Sequence, residues 1–339
     1  MKYSLLTCLF VFLIAPNAIL AQTLESLGGQ SDSLVVKTAP LRPGPNQTVT
    51  VTIESYAIDL DRSTISWSLN NVLTKEGVGI KQFSFKTGKA GSLSNILIMV
   101  KTSEDSLIQE TLNIHPASLN LIWEAQSYTP PFYKGKAFYP YQGTVKVVAI
   151  PNIVTENGGV ISAKNLVYTW TINGSVNQNV SGYGKNFIYF VGSIPLKPTT
   201  VSVEASSVDK TYLAAGSTSF KPGSPELLFY EDSPLYGILY TKAFSGQVAL
   251  QNEEIKIAAV PYFIGVEQLA GAGLTYDWQI NNESAGVANT NDSLTFRRDK
   301  GVAGTALMSL QITNPSKIFQ LVKNNLSLDF TKTANVTQF

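Results

Sequence analysis

The sequence contains little of the chemistry that enzymes most often use. Cys8 is the one cysteine and His115 the one histidine among 339 residues. A lone histidine completes neither a Ser-His-Asp nor a Cys-His arrangement, and it supplies no pair of zinc ligands. No glycine-rich phosphate-binding loop is present. The sequence therefore predicts a protein that is not an enzyme, with no catalytic residues and no cofactor.

Charged residues are also scarce. Only 14% of the chain is Asp, Glu, Lys or Arg, while 44% is hydrophobic, a balance that favours a folded protein over a disordered one or a long charged helix. The densest basic cluster, residues 297–300, has Asp299 in its middle. Because nucleic-acid binding needs a concentrated basic surface, the sequence predicts no nucleic-acid partner.

One apolar run of appreciable length stands at the N-terminus. Residues 5–14 are almost entirely apolar, Lys2 precedes them, and Pro16 follows before the small residue Ala21. This pattern predicts a signal peptide over residues 1–21. The alternative is an uncleaved membrane anchor, which needs about 20 apolar residues where this run is shorter. With cleavage, we expect no membrane span in the mature chain.

Export and the position of Cys8 together indicate a compartment. Cleavage after Ala21 removes Cys8 and leaves Gln22 as the first residue, so the mature chain forms no disulfide. Small extracellular animal domains usually depend on disulfides. The sequence therefore favours a bacterial protein at the cell surface, in the periplasm or outside the cell.

A short motif recurs three times along the chain. Alternating apolar and polar residues surround a tryptophan, and an Asn-Asn or Asn-Gly pair follows. Alternation is typical of a half-buried strand, and the closing pair suits a tight hairpin turn. The three copies cover residues 64–71, 167–174 and 275–282, centred on Trp67, Trp170 and Trp278, which lie 103 and 108 residues apart.

That spacing is the length of a domain, and similar strands recur around each motif in the same order. β-Branched and aromatic residues fill these runs, and no helical period follows the signal peptide. The sequence predicts an all-β protein of tandem immunoglobulin-like β-sandwich domains, with Trp67, Trp170 and Trp278 in their cores. The predicted boundaries are residues 1–21 for the signal peptide, 22–116, 117–225 and 226–332 for three modules, and 333–339 for a tail.

The run Tyr-x-Trp-x-Ile-Asn-Gly/Asn at residues 168–174 and 276–282 resembles the central strand of PKD-like and related immunoglobulin-like modules. Those modules carry Tyr-x-Trp-x-Phe-Gly-Asp-Gly, and this chain lacks the Gly-Asp-Gly end. The wider layout is also similar to uncharacterised bacterial envelope proteins. The resemblance implies an extracellular spacer or adhesive unit.

Aromatic residues crowd two segments that lie near predicted module junctions. Such clusters stack on sugars, anchor a protein interface or pack one module against the next, and their position favours the last of these. The candidates for interaction are Phe132, Tyr133 and Tyr139 in the second module and Tyr236 and Tyr240 in the third.

Asp59 and Asp61 are weak candidates for a metal site. Clustered carboxylates in a loop between strands suit Ca²⁺, and with Glu54 they also offer a carboxylate pair for glycoside hydrolysis. No glycine-bearing calcium loop follows them, and short sandwiches seldom form a deep cleft. Solvated loop acids are the favoured interpretation, so the sequence predicts no metal site.

Two functional hypotheses follow. The first is a structural or adhesive protein of the bacterial envelope, a stiff row of modules whose partners are other envelope or surface proteins. The second is a carbohydrate-binding array that works beside a separate enzyme, with glycans as its ligands.

Overall fold

A computed structural model describes residues 34–192, 197–250, 253–266, 273–299 and 302–331. The predicted signal peptide over residues 1–21 and the tail over residues 333–339 lie outside the described residues. No helix among the described residues is long and apolar enough to cross a membrane.

Twenty-four strands and two single-turn 3-10 helices make up the described structure. The first seven strands are Val35–Ala39 (β1), Thr48–Glu54 (β2), Thr64–Leu69 (β3), Val72–Val78 (β4), Gln82–Lys86 (β5), Ser94–Lys101 (β6) and Leu107–Ile114 (β7). The next eight are Ser118–Ala125 (β8), Thr144–Asn152 (β9), Val167–Ile172 (β10), Ser175–Val176 (β11), Gly182–Tyr183 (β12), Phe187–Val191 (β13), Thr199–Ser206 (β14) and Leu213–Phe220 (β15). The last nine are Glu226–Ser233 (β16), Gly237–Ile238 (β17), Gln247–Ala249 (β18), Glu254–Tyr262 (β19), Thr275–Ile280 (β20), Glu283–Ser284 (β21), Ser293–Arg297 (β22), Thr305–Thr313 (β23) and Leu321–Asp329 (β24). The 3-10 helices span Ala163–Asn165 and Gln178–Val180.

The strands form six sheets that repeat one arrangement three times. In each repeat, one sheet holds the tryptophan strand and the other holds the strand that precedes it in the chain. The pairs of sheets have the strand orders β4-β3-β6-β7 with β1-β2-β5, β11-β10-β14-β15 with β13-β9-β8, and β18-β24-β23-β20-β21 with β17-β16-β19-β22. The predicted fold class, tandem immunoglobulin-like sandwiches, is confirmed.

Residue contacts divide the chain into two compact units. The described part of the first unit comprises residues 34–38, 50–84 and 95–113. The second unit comprises the remaining described residues, including all those from 114 onwards. The boundaries at 116, 225 and 332 stay a prediction.

Two large hydrophobic cores lie within the second unit, together with a smaller cluster of Tyr230, Val260, Tyr262 and Phe263. One is built from buried residues between Ala117 and Phe220, and the other from buried residues between Leu227 and Leu328. Each takes alternate residues of its strands: in β10, for example, Tyr168 and Trp170 are buried between more exposed neighbours. A strand with a period of two buries one face only, so this alternation places the core between the two sheets.

The repeated tryptophan is buried and hydrogen-bonded in the same way in all three copies. The indole Nε1 of Trp67 donates to the carbonyl oxygen of Ile80 at 2.9 Å. Trp170 donates to Lys185 and Trp278 to Asn291, each at 2.8 Å. All three side chains are almost wholly buried. A buried indole N–H needs such a partner, so each bond fixes a loop to the core.

The asparagine that follows each tryptophan strand has two roles. Asn70, Asn173 and Asn281 all have φ of 51°, which suits the first position of a tight hairpin turn. Their side-chain Oδ1 atoms also accept a bond from the backbone N–H of the neighbouring long strand, at 2.9 Å in each repeat. The sequence predicted the turn but gave no indication of the second bond.

Replacing Trp170 by Ala should lower the free energy of unfolding by about 3 to 5 kcal/mol, because it removes a fully buried ring and its hydrogen bond. Urea unfolding followed by circular dichroism measures the loss. Val176→Ala, on the exposed strand β11, is the control and should change stability by less than about 0.5 kcal/mol. A loss of under about 1 kcal/mol for Trp170→Ala would contradict its place as a core anchor.

Candidate interaction surfaces

The aromatic segment that follows β8 is joined to the strand end that follows β19. We call residues 127–142 the junction segment. Tyr128 N–H donates to the carbonyl of Ile264 at 2.7 Å, and Phe263 N–H donates to the carbonyl of Tyr128 at 2.8 Å. Ser127 and Gly265 form an isolated antiparallel bridge beside them. This backbone pairing links the predicted second and third modules.

Aromatic rings surround that pairing. The Tyr133 ring lies edge-on to Tyr262 and Phe263, with centroids 6.0 and 5.7 Å away, and the Phe138 ring lies 4.7 Å from Phe263. Phe263 is buried with φ of 58°, a conformation that L-residues adopt rarely. Edge-to-face geometry at these distances is favourable for aromatic pairs. The junction segment therefore packs against the third predicted module through its rings as well as its backbone.

A buried glutamine completes the junction. The Nε2 of Gln320 donates to the carbonyl of Tyr141 at 2.8 Å, and its Oε1 accepts from the side chain of Asn314 and the N–H of Gly265. Its side chain is fully buried. The neighbouring Phe319 N–H donates to the Oε1 of Gln142 at 3.1 Å. Sequence reasoning missed Gln320, because an isolated glutamine in a loop carries no pattern that reveals burial.

Tyr139, one of the candidates for interaction, is buried and therefore offers no surface to a partner. Its side chain is 3% exposed and belongs to the core between Ala117 and Phe220. The ring lies 6.1 Å from that of Phe190 and 6.4 Å from that of Phe220. Burial raises the pKa of the Tyr139 hydroxyl.

The other interaction candidates divide into two groups. Tyr133 and Tyr240 are half-buried, and Tyr240 lies with its ring 5.4 Å from that of Tyr230. Phe132 and Tyr236 are 90% and 80% exposed. Only the second group offers free ring surface to a ligand.

Several tyrosines at the junction keep their protons well above neutral pH. Burial raises the pKa of Tyr128 to about 12, and interaction with Tyr240 adds to this. Burial, followed by the hydrogen bond with Tyr230, also raises the pKa of Tyr262. Each hydroxyl is therefore a neutral hydrogen-bonding group at physiological pH.

Asp59 and Asp61 lie in an exposed loop and each has a basic partner. Asp59 Oδ2 is 3.5 Å from Arg62 Nε, and Asp61 Oδ1 is 3.0 Å from Lys81 Nζ. Glu54 pairs instead with Lys37. Within the described ranges, no three Asp, Glu, His or Cys side chains are grouped so that they could hold a metal ion.

In the sequence, His115 lies in the Ile114-His115-Pro116 joint between the first two predicted modules, where a surface position is expected, but in the structure it is largely buried. Its side chain is 10% exposed, and its ring lies 4.7 Å from the ring of Tyr212. The Nδ1 atom is 3.7 Å from Glu156 Oε1, beyond hydrogen-bonding distance. The tyrosine ring covers this position, which the sequence could not reveal because Tyr212 lies almost a whole module further along the chain.

No family model matches the chain, and no curated protein matches it by sequence. Solved structures match over most of its length at low identity. The three N-terminal domains of the bacteriophage RB49 highly immunogenic outer capsid protein share 12% identity, with 88% of this chain and 99% of that chain covered at a TM-score of 0.26. The central fibronectin-III array of RIM-binding protein also shares 12%, with 85% and 93% covered at 0.28.

A third similar structure is the SGBP-B protein of the Bacteroides ovatus mixed-linkage glucan utilization locus in complex with a mixed-linkage heptasaccharide. It shares 11% identity, with 89% of this chain and 72% of that chain covered at a TM-score of 0.20.

Phe263→Ala should lower the free energy of unfolding by about 3 to 5 kcal/mol, because it removes the ring that Tyr133, Phe138 and Tyr262 all contact. Phe132→Ala is the matched control: that ring is 90% exposed and its residue also has positive φ, at 67°. We expect a change below about 0.5 kcal/mol for the control. Equal effects of the two substitutions in urea unfolding would argue against the junction packing.

Stability should fall as the pH rises from about 10 to about 12. Unfolded tyrosine loses its proton near pH 10, whereas folded Tyr128 holds its proton to about 12, so the unfolded state binds fewer protons across this window. Tyr128 contributes its full stabilisation below pH 10 and loses it as the pH approaches the folded pKa. Urea midpoints measured from about pH 9 to about pH 11 test this. Tyr128→Phe should flatten the dependence in part, whereas Tyr56→Phe, at a 98% exposed position, should leave it unchanged.

Proposed function

We propose that this chain is a non-enzymatic, exported protein of the bacterial envelope that binds protein or surface partners through a row of immunoglobulin-like modules. The tandem sandwich array is a structural and binding architecture. Its export, its envelope location and its adhesive role are parts of the proposal, supported by the signal-peptide pattern of residues 1–21 and by the resemblance to PKD-like modules.

The observation that carries the proposal is the junction between the second and third predicted modules. There the segment between β8 and β9 meets the residues that follow β19 and the loop between β23 and β24. Backbone pairing at Tyr128, edge-to-face rings at Phe263 and the buried amide of Gln320 all act at this point. Interfaces between domains that move freely are usually small and polar. A junction with this much specific bonding favours a protein that holds its second and third modules in one arrangement, as a spacer or scaffold requires.

Carbohydrate binding remains the alternative, but its best sequence candidates have other contacts. Tyr139 is buried, and Tyr133 presents its edge to Tyr262 and Phe263. A sugar platform would instead have to use exposed rings such as those of Phe132 and Tyr236. Loss of glycan binding in Phe132→Ala or Tyr236→Ala would support this alternative.

Fractionation of the source cells, with intact-mass determination of the protein, tests the proposal. We expect the mature chain to begin at Gln22. We also expect it to be digested by protease added to intact cells or to cells with a permeabilised outer layer. A cytoplasmic protein in the same cells is the control and should survive. A chain that keeps residues 1–21 and remains in the cytoplasm would overturn the proposal.

A further inference from the structure

Three edge strands occupy the same position in the three repeats. Strands β5, β13 and β22 each lie at the end of the sheet that lacks the tryptophan strand. An edge strand presents unpaired backbone groups, and proteins usually protect it with charged or polar side chains. The outward-facing residues of these three strands can therefore be compared directly.

Two of the edges are polar and one is not. Strand β5 exposes Gln82, Ser84 and Lys86, and β22 presents Ser293, Thr295 and Arg297 on the same side. Strand β13 has large apolar residues at these places. They are Phe187 and Tyr189, each 48% exposed, and Val191, 61% exposed.

The apolar surface continues from β13 across its sheet. In the strand register, Phe187 is beside Val148, which is beside Ile122 of β8, and Ile122 is 55% exposed. In the next row, Lys146 lies with its Nζ 5.4 Å from the Phe187 ring and 5.7 Å from the Tyr189 ring. The Lys146 ammonium therefore lies over the two ring faces, one strand in from the free edge, and β13 itself contains no charged residue.

The backbone of β13 also has free hydrogen-bonding groups on that edge. Asn186 and Gly192 bond to the neighbouring chain through Ala149 and Gly143. In an antiparallel ladder such bonds recur at every second residue, so residues 188 and 190 point their backbone groups toward β9. Residues 187, 189 and 191 point theirs away, and no strand among the described residues pairs with that side.

We propose that β13 pairs with β13 of a second copy of this chain. Antiparallel pairing about a two-fold axis at Tyr189 places Tyr189 opposite Tyr189 and Phe187 opposite Val191, so each exposed apolar residue meets another. The strand Phe-Ile-Tyr-Phe-Val contains no charged residue, so self-pairing places no charged side chains directly opposite each other. Pairing with a polar edge such as β5 or β22 would place Lys86 or Arg297 beside these rings and near Lys146, whereas a second copy of β13 places only aromatic and aliphatic side chains there. This inference deepens the proposed interaction role and rests on it.

The first test replaces the apolar edge with the polar edge of the first repeat. The protein is expressed with its own N-terminal segment, and its mass in solution is measured by sedimentation across a range of concentrations. We expect a dimer that dissociates on dilution. The triple variant Phe187→Gln, Tyr189→Ser, Val191→Lys copies the side chains of β5 and should weaken dimerisation about tenfold or more. Val208→Lys, at a position 72% exposed outside the sheet, should leave it unchanged.

The second test examines the register of the proposed β13–β13 pairing, and it does not require a variant with weaker dimerisation. Tyr189→Cys in both copies should form a covalent dimer on mild oxidation, because directly opposite residues in paired strands lie within disulfide reach. Val208→Cys should not form one. Wild-type protein that stays monomeric at every concentration, or a dimer unaffected by the triple variant, would overturn the inference.

A different occupant of the edge would also be visible. Amide exchange at Phe187, Tyr189 and Val191 should be fast in dilute monomer and slow in the dimer. If exchange is slow in the monomer and becomes fast when residues 22–33 are deleted, the chain's own N-terminal segment covers the edge. That result would overturn the second-copy pairing. None of these outcomes would change the result of the fractionation experiment. A negative result for dimerisation can therefore be distinguished from a negative result for the proposed function.

Discussion

Each sandwich in this protein depends on one buried hydrogen bond, from the indole of its central tryptophan to the carbonyl of a loop. Leaving such a donor unpaired in a core costs about 1 to 3 kcal/mol, so the loop must stay where the ring is. The ring in turn spaces the two sheets. In the first repeat Trp67 also stacks on Phe83, with centroids 5.6 Å apart, so loop, sheet spacing and edge strand are set together.

The sequence was informative wherever burial follows a local period. The strand at Val167–Ile172 was predicted from alternation, and the turn at Asn173 from the residue types that tolerate positive φ. It was uninformative wherever a partner lies far along the chain. Some features depend on tertiary contacts that leave no pattern in the residues nearby. They are the acceptor of the Trp170 hydrogen bond, the backbone bond to the Asn173 side chain, and the burial of Tyr139 and Gln320.

The junction between the second and third predicted modules combines apolar and polar contacts that have different consequences. The rings at Phe263 bury area, and many arrangements would serve that purpose. The amide of Gln320 is more selective, because its donor and acceptor are both satisfied only when Tyr141, Asn314 and Gly265 are in place. We infer that the aromatic contacts stabilise the junction and that the buried amide selects one arrangement of it.

The junction segment also imposes an order on biosynthesis. Tyr133 and Phe138 precede Tyr262 and Phe263 by more than a full module, so they emerge first during synthesis and export. Domains generally fold as they emerge, N-terminal first. The sandwich that contains Trp170 can therefore fold while the rings of its junction segment are still exposed to solvent. The segment then remains an exposed aromatic surface until β19 has emerged and folded. The interval between the emergence of residue 140 and that of residue 260 at the end of export would then set how long that segment can contact other proteins.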